Sequence, residues 1–283
     1  MQDRVVLAKA QVEPGSAGME LGVYARQILG MSSRKLQKAV RTGGLLLNGR
    51  PAHSKARLKA GDWVQVTLPA QEQVKIPVAS PKDIRILYED RWLLGVHKPA
   101  GLPTYSLEEA QGAANQVAGY FLAHGLRLTP RPVHRLDTPA SGVVIFAKDA
   151  HTQTALTEFW GQGLVQRRYY AICRGLLTDG REIDLPIGGQ PALTRVEPLK
   201  VHPHCTELSV EIITGRTHQI RRHLASIGHP LLGDRRYGPG HQEEGRLALH
   251  AWSVSFPHPH KKGELVKISS PVPYHEFSSY LPA

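Results

Sequence analysis

The sequence predicts an α+β protein with a mixed, largely antiparallel sheet, preceded by a small N-terminal α/β unit. Three observations carry this. Strand and helix patterns are interspersed and joined by loop-rich segments, with no internal repeat. Val143, Val144, Ile145 and Phe146 form an apolar run that reads as a buried strand. Acidic residues are absent from Arg26 to Gly61, which sets the N-terminal part apart from the rest. A chain of 283 residues, 41% hydrophobic, suits two domains with real cores.

In chain order, a helix is expected over residues 21–29. The next segment, "MSSRKLQKAVRTGG", reads as a second helix, capped by Ser32 or Ser33 and ended by Gly43-Gly44. Leu36, Ala39 and Val40 share one face of it, and Arg34, Lys38 and Arg41 share another. "LLLNGRPA" is a short strand with an Asn48-Gly49 hairpin turn. "GDWVQVTLP" alternates as a strand and closes the unit, so the first domain spans 1–69. Residues 70–83 hold Pro77 and Pro81 with little periodicity and read as a linker. The second domain, 84–283, opens with strand, Glu89-Asp90 turn, strand and a Pro/Gly loop in "IRILYEDRWLLGVHKPAGLPT". "AANQVAGYFLAHG" and "RTHQIRRHLASIG" read as helices, and strands are expected at 143–147, 167–174, 207–213, 247–256 and 264–269.

Lys and Arg number 35 against 24 Asp and Glu, a formal charge of +11. That excess favours a polyanionic partner, nucleic acid first. The acid-free segment carries Arg34, Lys35, Lys38, Arg41 and Arg50, a pattern suited to releasing phosphate counterions. Two cysteines exclude a disulfide scaffold and fit a reduced, cytoplasmic setting. No stretch approaches a membrane span, and the N-terminus has no apolar signal core. The phosphate-cradling Gly-x-x-x-x-Gly-Lys-Ser/Thr loop does not occur, so no nucleotide cofactor is expected. The histidines of "VHPHC" and "PHPH" lack paired ligand spacing, so no metal is expected.

Three stretches bear chemistry. "PVHRLDTPASG" places Asp137 before the buried strand, either as a turn residue or as a catalytic carboxylate on a rigidly held loop. "VQRRYYAICRG" puts Arg167, Tyr169 and Ala171 on one strand face and Arg168, Tyr170 and Ile172 on the other. One tyrosine can face a cleft while the other packs, and an aromatic face in a basic cleft can stack a splayed-out base. "GRTHQIRRHLASIG", taken as helical from Thr217, turns Arg221 inward toward a carboxylate and Arg222 elsewhere.

Taken together, these stretches resemble the RNA pseudouridine synthases of the RluA class. "LYEDRWLLGVHKPAGLPT", "HRLDTPASGVVIFAKD", "RRYYAICRG", "GRTHQIRRHLASIGHPLLGDRRYG" and "LALHAWSVSFPHP" are similar to that family's motifs and occur in its order. The N-terminal unit resembles the small basic RNA-binding domain that often precedes this catalytic domain. The resemblance implies a pseudouridine synthase-like catalytic domain that converts uridine to pseudouridine in structured RNA, ribosomal or transfer, without cofactor. It implies Asp137 as the essential carboxylate, acting as nucleophile or as base. Tyr169 is implied as the tyrosine that stacks on the flipped uracil, Arg221 as the partner of the aspartate, and Arg135 as the residue that opens the RNA stack. RNA contact is further expected at Arg167, Arg216, His218 and Arg222. The family usually carries threonine where Ala140 stands, and loss of that hydroxyl is expected to loosen the loop. A monomer is the default expectation. The competing class is a catalytically inactive RNA-binding or ribosome-assembly factor on the same fold.

Overall fold

The computed structural model describes residues 4–69, 76–106, 110–239 and 245–281. The chain divides into two compact units, Met1–Gln73 and Val74–Ala283.

The first unit contains β1 (Arg4–Gln11), α1 (Leu21–Gln27), α2 (Ser33–Arg41), β2 (Leu45–Leu47), β3 (Arg50–Pro51) and β4 (Trp63–Pro69). Its sheet runs β1-β4-β2-β3. The expected hairpin forms, with Asn48 and Gly49 at φ 50° and 80°, the left-handed pair that matches strand twist. Ser32 caps α2 by accepting from the Lys35 N–H. Leu36 and Ala39 of α2 are buried, but Val40 is 38% exposed, so the apolar stripe is narrower than its spacing suggests. β1 has no counterpart in the sequence reading. It runs at the edge of this sheet beside β4, mostly exposed, so its apolar residues carry no one-sided alternation.

The second unit contains β5 (Arg85–Glu89), β6 (Leu93–Lys98), α3 (Ala113–Ala123), β7 (Arg131–Pro132), β8 (Ser141–Ala147), α4 (Ala150–Gly161), β9 (Gln166–Arg174), β10 (Arg181–Asp184), β11 (Leu193–Val201), β12 (Cys205–Ile212), α5 (Gln219–Ser226), β13 (Leu249–Pro257) and β14 (Leu265–Ser269). Its ten-stranded sheet follows the order β10-β11-β12-β9-β13-β8-β6-β5, with β14 on β13 and β7 on β8. β8 and β13 pair in parallel, and the other pairings among the described residues are antiparallel. Every residue of β8 is buried. Val144 and Phe146 face one core cluster with α3, while Val143 and Ile145 face another with Leu156 of α4. Two covered faces explain why β8 reads as a continuous apolar run rather than an alternating one.

Residues 70–75 of the expected linker lie outside the described residues. The remainder, 76–83, packs on the second unit: Ile76 is buried in its core, and the Gln116 side chain accepts from the Asp83 and Ile84 N–H groups. Helix α4 and strands β10 and β11 escaped the sequence reading. α4 carries three threonines and buries little beyond Thr152 and Leu156, so its apolar period is weak. Among the described residues no helix is long and apolar enough to cross a membrane.

Candidate active site

Asp137 stands on the loop between β7 and β8. That loop is tied from both ends. Leu136 exchanges hydrogen bonds with the Thr104 hydroxyl, and the Ala140 N–H donates to the Asp137 carbonyl at 3.0 Å. Gly142 follows with φ 121°, and a Cβ there would lie 2.3 Å from the Ala251 carbonyl oxygen. Only glycine permits this close parallel approach of β8 to β13.

Lys98 is the hidden anchor of the loop. It is fully buried, and its Nζ donates to the carbonyls of Ala140 (2.6 Å), Leu102 (2.7 Å), Pro99 (3.0 Å) and Thr138 (3.3 Å). Burial and the nearby Arg246 charge push its pKa down to about 7, with Asp137 opposing. The Ala140 methyl is buried in the core. These ties run through main-chain carbonyls and need no hydroxyl at position 140, so the expected loosening has no structural correlate.

Arg221 and Asp137 come together as expected, but by a different route. The helix begins at Gln219, not Thr217, and His218 before it adopts a left-handed φ of 54°. Gln219 holds this bend: its amide oxygen accepts from the Thr214 hydroxyl and the Arg216 N–H, and its nitrogen donates to Leu193 and Thr194. Arg221, 6% exposed, donates from Nη1 to Asp137 Oδ2 at 3.1 Å. The rest of its fork grips Asp234, with Nε to Oδ2 at 2.8 Å and Nη2 to Oδ1 at 2.7 Å. Burial alone would raise the Asp234 pKa, but Arg221 and the Arg236 and Tyr237 N–H groups outweigh it and hold the carboxyl below its ordinary value. His218 sits 3.7 Å from Asp137 Oδ1 and hydrogen-bonds the Tyr237 hydroxyl at 3.0 Å. Burial lowers the His218 pKa, against the pull of Asp137.

These groups line a cleft of about 300 Å³. Arg135, Asp137, Arg167, Tyr169, Arg216, His218 and Arg221 all border it. Tyr169 faces the cleft, whereas Tyr170 turns to the opposite face, packing on Phe277 and donating to Glu207 at 2.6 Å. Burial raises the Tyr169 pKa, so its phenol is neutral. Arg135 is exposed at the rim. Arg167 is not a surface cation: it is 8% exposed. Arg222 is exposed on α5 and does not border the cleft, because the helix turns successive side chains away from each other. His134 also borders the cleft, with its ring engaged in the fold. Burial pushes its pKa down to about 3, its Nε2 accepts from the Ile145 N–H, and its ring stacks on Trp160.

In the first unit Arg34, Lys35, Arg41 and Arg50 are exposed and Lys38 is half-buried. His202 bonds Glu207 and His258 bonds Asp90, so the two histidine-rich segments serve internal hydrogen bonds. Lys98, Asp234 and Gln219 escaped the sequence reading. Their signals were present: a lysine ending an apolar strand, and one acid inside the basic run "GDRRYG".

A long mixed sheet carrying a cleft at the mouth of its central strands is the architecture of an RNA-modifying enzyme class, the pseudouridine synthases. The fold matches human RNA pseudouridylate synthase domain containing 4, with a TM-score of 0.59 and 21% identity over 69% of this chain and 90% of that one. It also matches human RNA pseudouridylate synthase domain containing 1, with a TM-score of 0.58 and 23% identity over 70% and 87%. A family model described as RNA pseudouridylate synthase matches residues 93–226. The Bacillus subtilis protein YjbO, described as an uncharacterized RNA pseudouridine synthase, is 35% identical over 90% of this chain and 96% of its own. Ribosomal large subunit pseudouridine synthase D of Neisseria meningitidis is 31% identical over 90% and 77%. The chain belongs to the RNA pseudouridine synthase family, in its RluA class, and is an RNA-modifying isomerase.

Proposed function

We propose that Asp137 is the catalytic carboxylate for isomerising a specific uridine in ribosomal RNA. The observation that carries this is the Arg221 fork, which grips Asp137 at the cleft while its own charge is balanced by Asp234. The target uridine must leave its stack to reach the cleft, at a cost of a few kcal/mol. Stacking of the uracil on Tyr169 and filling of the gap by Arg135 offset that cost.

Asp137 then acts on the ribose, bonding C1′ or taking the C2′ proton as the glycosidic bond breaks. The uracil turns and C5 bonds C1′ as the Asp137–C1′ bond breaks or the C2′ proton returns, while the C5 proton leaves and N1 gains one. Arg135, Arg216 and His218 border the same opening and contact the backbone of the RNA. The basic residues Arg34, Lys35, Lys38, Arg41 and Arg50 give the first unit its RNA affinity. Relatives named for the ribosomal large subunit favour ribosomal over transfer RNA. The enzyme works as a monomer.

The test is pseudouridine mapping of cellular RNA with and without the protein, repeated with Asp137→Ala. We expect one or a few ribosomal uridines to lose modification in both cases. Full modification by the Asp137→Ala chain would overturn the assignment.

A further inference from the structure

A buried arginine with no counter-ion among the described residues forms part of the cleft wall. Arg167 donates from Nη2 to the carbonyls of Ile212 (3.2 Å) and Ile213 (3.0 Å). Its Nε is enclosed without a hydrogen-bond partner. No carboxylate among the described residues pairs with it. Its Nη1 faces Gly215, where an added Cβ would stand 3.2 Å away. The carboxylate of the cleft, Asp137, is already served by Arg221. A tie to two carbonyls needs only a neutral donor, so a permanent cation here is costly unless an anion joins it. Arg167 and Tyr169 lie two positions apart on β9 and border the same cleft.

We propose that Arg167 is a further catalytic residue, one that takes up the negative charge of the uracil when it detaches from the ribose. The proposal rests on the reading of Asp137 given above. When the C1′–N1 bond breaks, its electron pair stays with the uracil and spreads over N1, O2 and O4. The ribose carbon is captured by the Asp137 carboxylate, or the C2′ proton passes to Asp137 and returns later. C5 then supplies the pair that bonds C1′ as the Asp137–C1′ bond breaks and its pair returns to the carboxylate, or as C2′ regains its proton from Asp137; the C5 proton leaves and N1 gains one, directly or through solvent. Substrate and product are isomers, so no oxidant or co-reactant is required. Neutral uracil gains little from a cation and the detached anion gains much, so Arg167 lowers the barrier rather than tightening binding. Nη2 is committed to the main chain and Nε is enclosed, so Nη1 is the donor that can turn to a uracil oxygen.

The test uses the full chain with Arg167→Met, Arg167→Gln and Arg167→Lys. Single-turnover rates are measured at saturating RNA carrying uridine or 5-fluorouridine at the target. Fluorine stabilises the departing anion. Arg167→Met is expected to slow uridine RNA about 100-fold, the scale for losing one charge-stabilising donor. RNA affinity is expected to stay within about threefold, because the interaction that is removed forms only after binding. Arg167→Lys should recover most of the rate. The 5-fluorouridine RNA should lose far less than uridine RNA in the Met variant. Arg167→Gln, which keeps a donor for the two carbonyls, carries the same comparison if thermal unfolding shows the Met variant misfolded. A neutral variant with unchanged sensitivity to fluorine, or one that loses only RNA affinity, would overturn the proposal. If instead Asp137→Asn keeps full activity, it is the underlying assignment of Asp137 that fails.

Discussion

Arg221 joins Asp137 to Asp234: one arm of its fork donates to Asp137 at 3.1 Å, and the remainder closes a bidentate pair with the fully buried Asp234. Asp234 therefore fixes where Arg221 points, and Arg221 fixes where Asp137 points. Planar, forked geometry is what lets one cation serve two carboxylates.

Arg221→Lys keeps the charge and loses the fork. Its single ammonium cannot hold both carboxylates at their present positions. We expect turnover at saturating RNA to fall about 100-fold, on the scale of removing one oriented electrostatic interaction, with RNA affinity retained. Single-turnover kinetics beside a gel-shift titration check this.

Asp234→Ala leaves Arg221 with one carboxylate and an empty, buried socket. Breaking a buried pair in this way costs about 3 kcal/mol or more. The Asp234 pKa is lowered on folding, so its contribution is full above the ordinary carboxylate range and is lost as pH falls below that range through the lowered folded-state value. The difference in unfolding free energy between parent and variant should be full at pH 7 and should shrink toward pH 3. Denaturant unfolding at a series of pH values measures it, and a pH-independent difference would contradict the linkage.

Lys98→Met removes the donor shared by four main-chain carbonyls around the Asp137 loop. Each carbonyl left unpaired costs roughly 1–3 kcal/mol if water cannot reach it. Faster amide exchange at 136–142 and reduced turnover are expected, with little change in RNA affinity. Hydrogen–deuterium exchange by mass spectrometry reads the loop directly.

Tyr169→Phe keeps the ring in the cleft and removes only the hydroxyl. Base stacking survives, because it needs the aromatic face alone. If the hydroxyl takes part in moving the C5 proton, product formation falls about 100-fold while binding of the flipped base is unchanged. Tyr169→Ala should weaken both. Comparing rate and affinity across the two variants separates stacking from proton transfer.

Arg34, Lys35 and Arg41 lie exposed on α2. Replacing all three with glutamine should weaken RNA binding and leave turnover at saturation intact. The slope of log affinity against log salt should become shallower by roughly 0.7 to 0.9 for each phosphate that is no longer neutralised. An unchanged slope would remove the first unit from the RNA interface.

The motif order along 84–270, the tyrosine strand and the acid-free basic helix were legible without coordinates, because each is a local pattern. β8 declared itself by an unbroken apolar run, and the β2–β3 hairpin by Asn48-Gly49. α4 did not, since its buried side chains are few and its polar residues mask the helical period. Arg221 was legible as inward-facing, but its helix begins two residues later than its spacing implied. His218 sits at a left-handed bend there, held by Gln219 hydrogen bonds that reach β11.

By itself the sequence determined the family, the sheet class and the candidates Asp137, Tyr169 and Arg221, because motif spacing and strand alternation are properties of neighbouring residues. Only the tertiary structure decided what balances them. Asp137 and Arg221 are 84 positions apart in the chain, and the sheet brings them together. The same folding buries Lys98 under the Asp137 loop, commits Arg221 to Asp234 and leaves Arg167 without a counter-ion among the described residues. Burial and charge pairing depend on which distant side chains share a low-dielectric site, and no local period in a sequence records that.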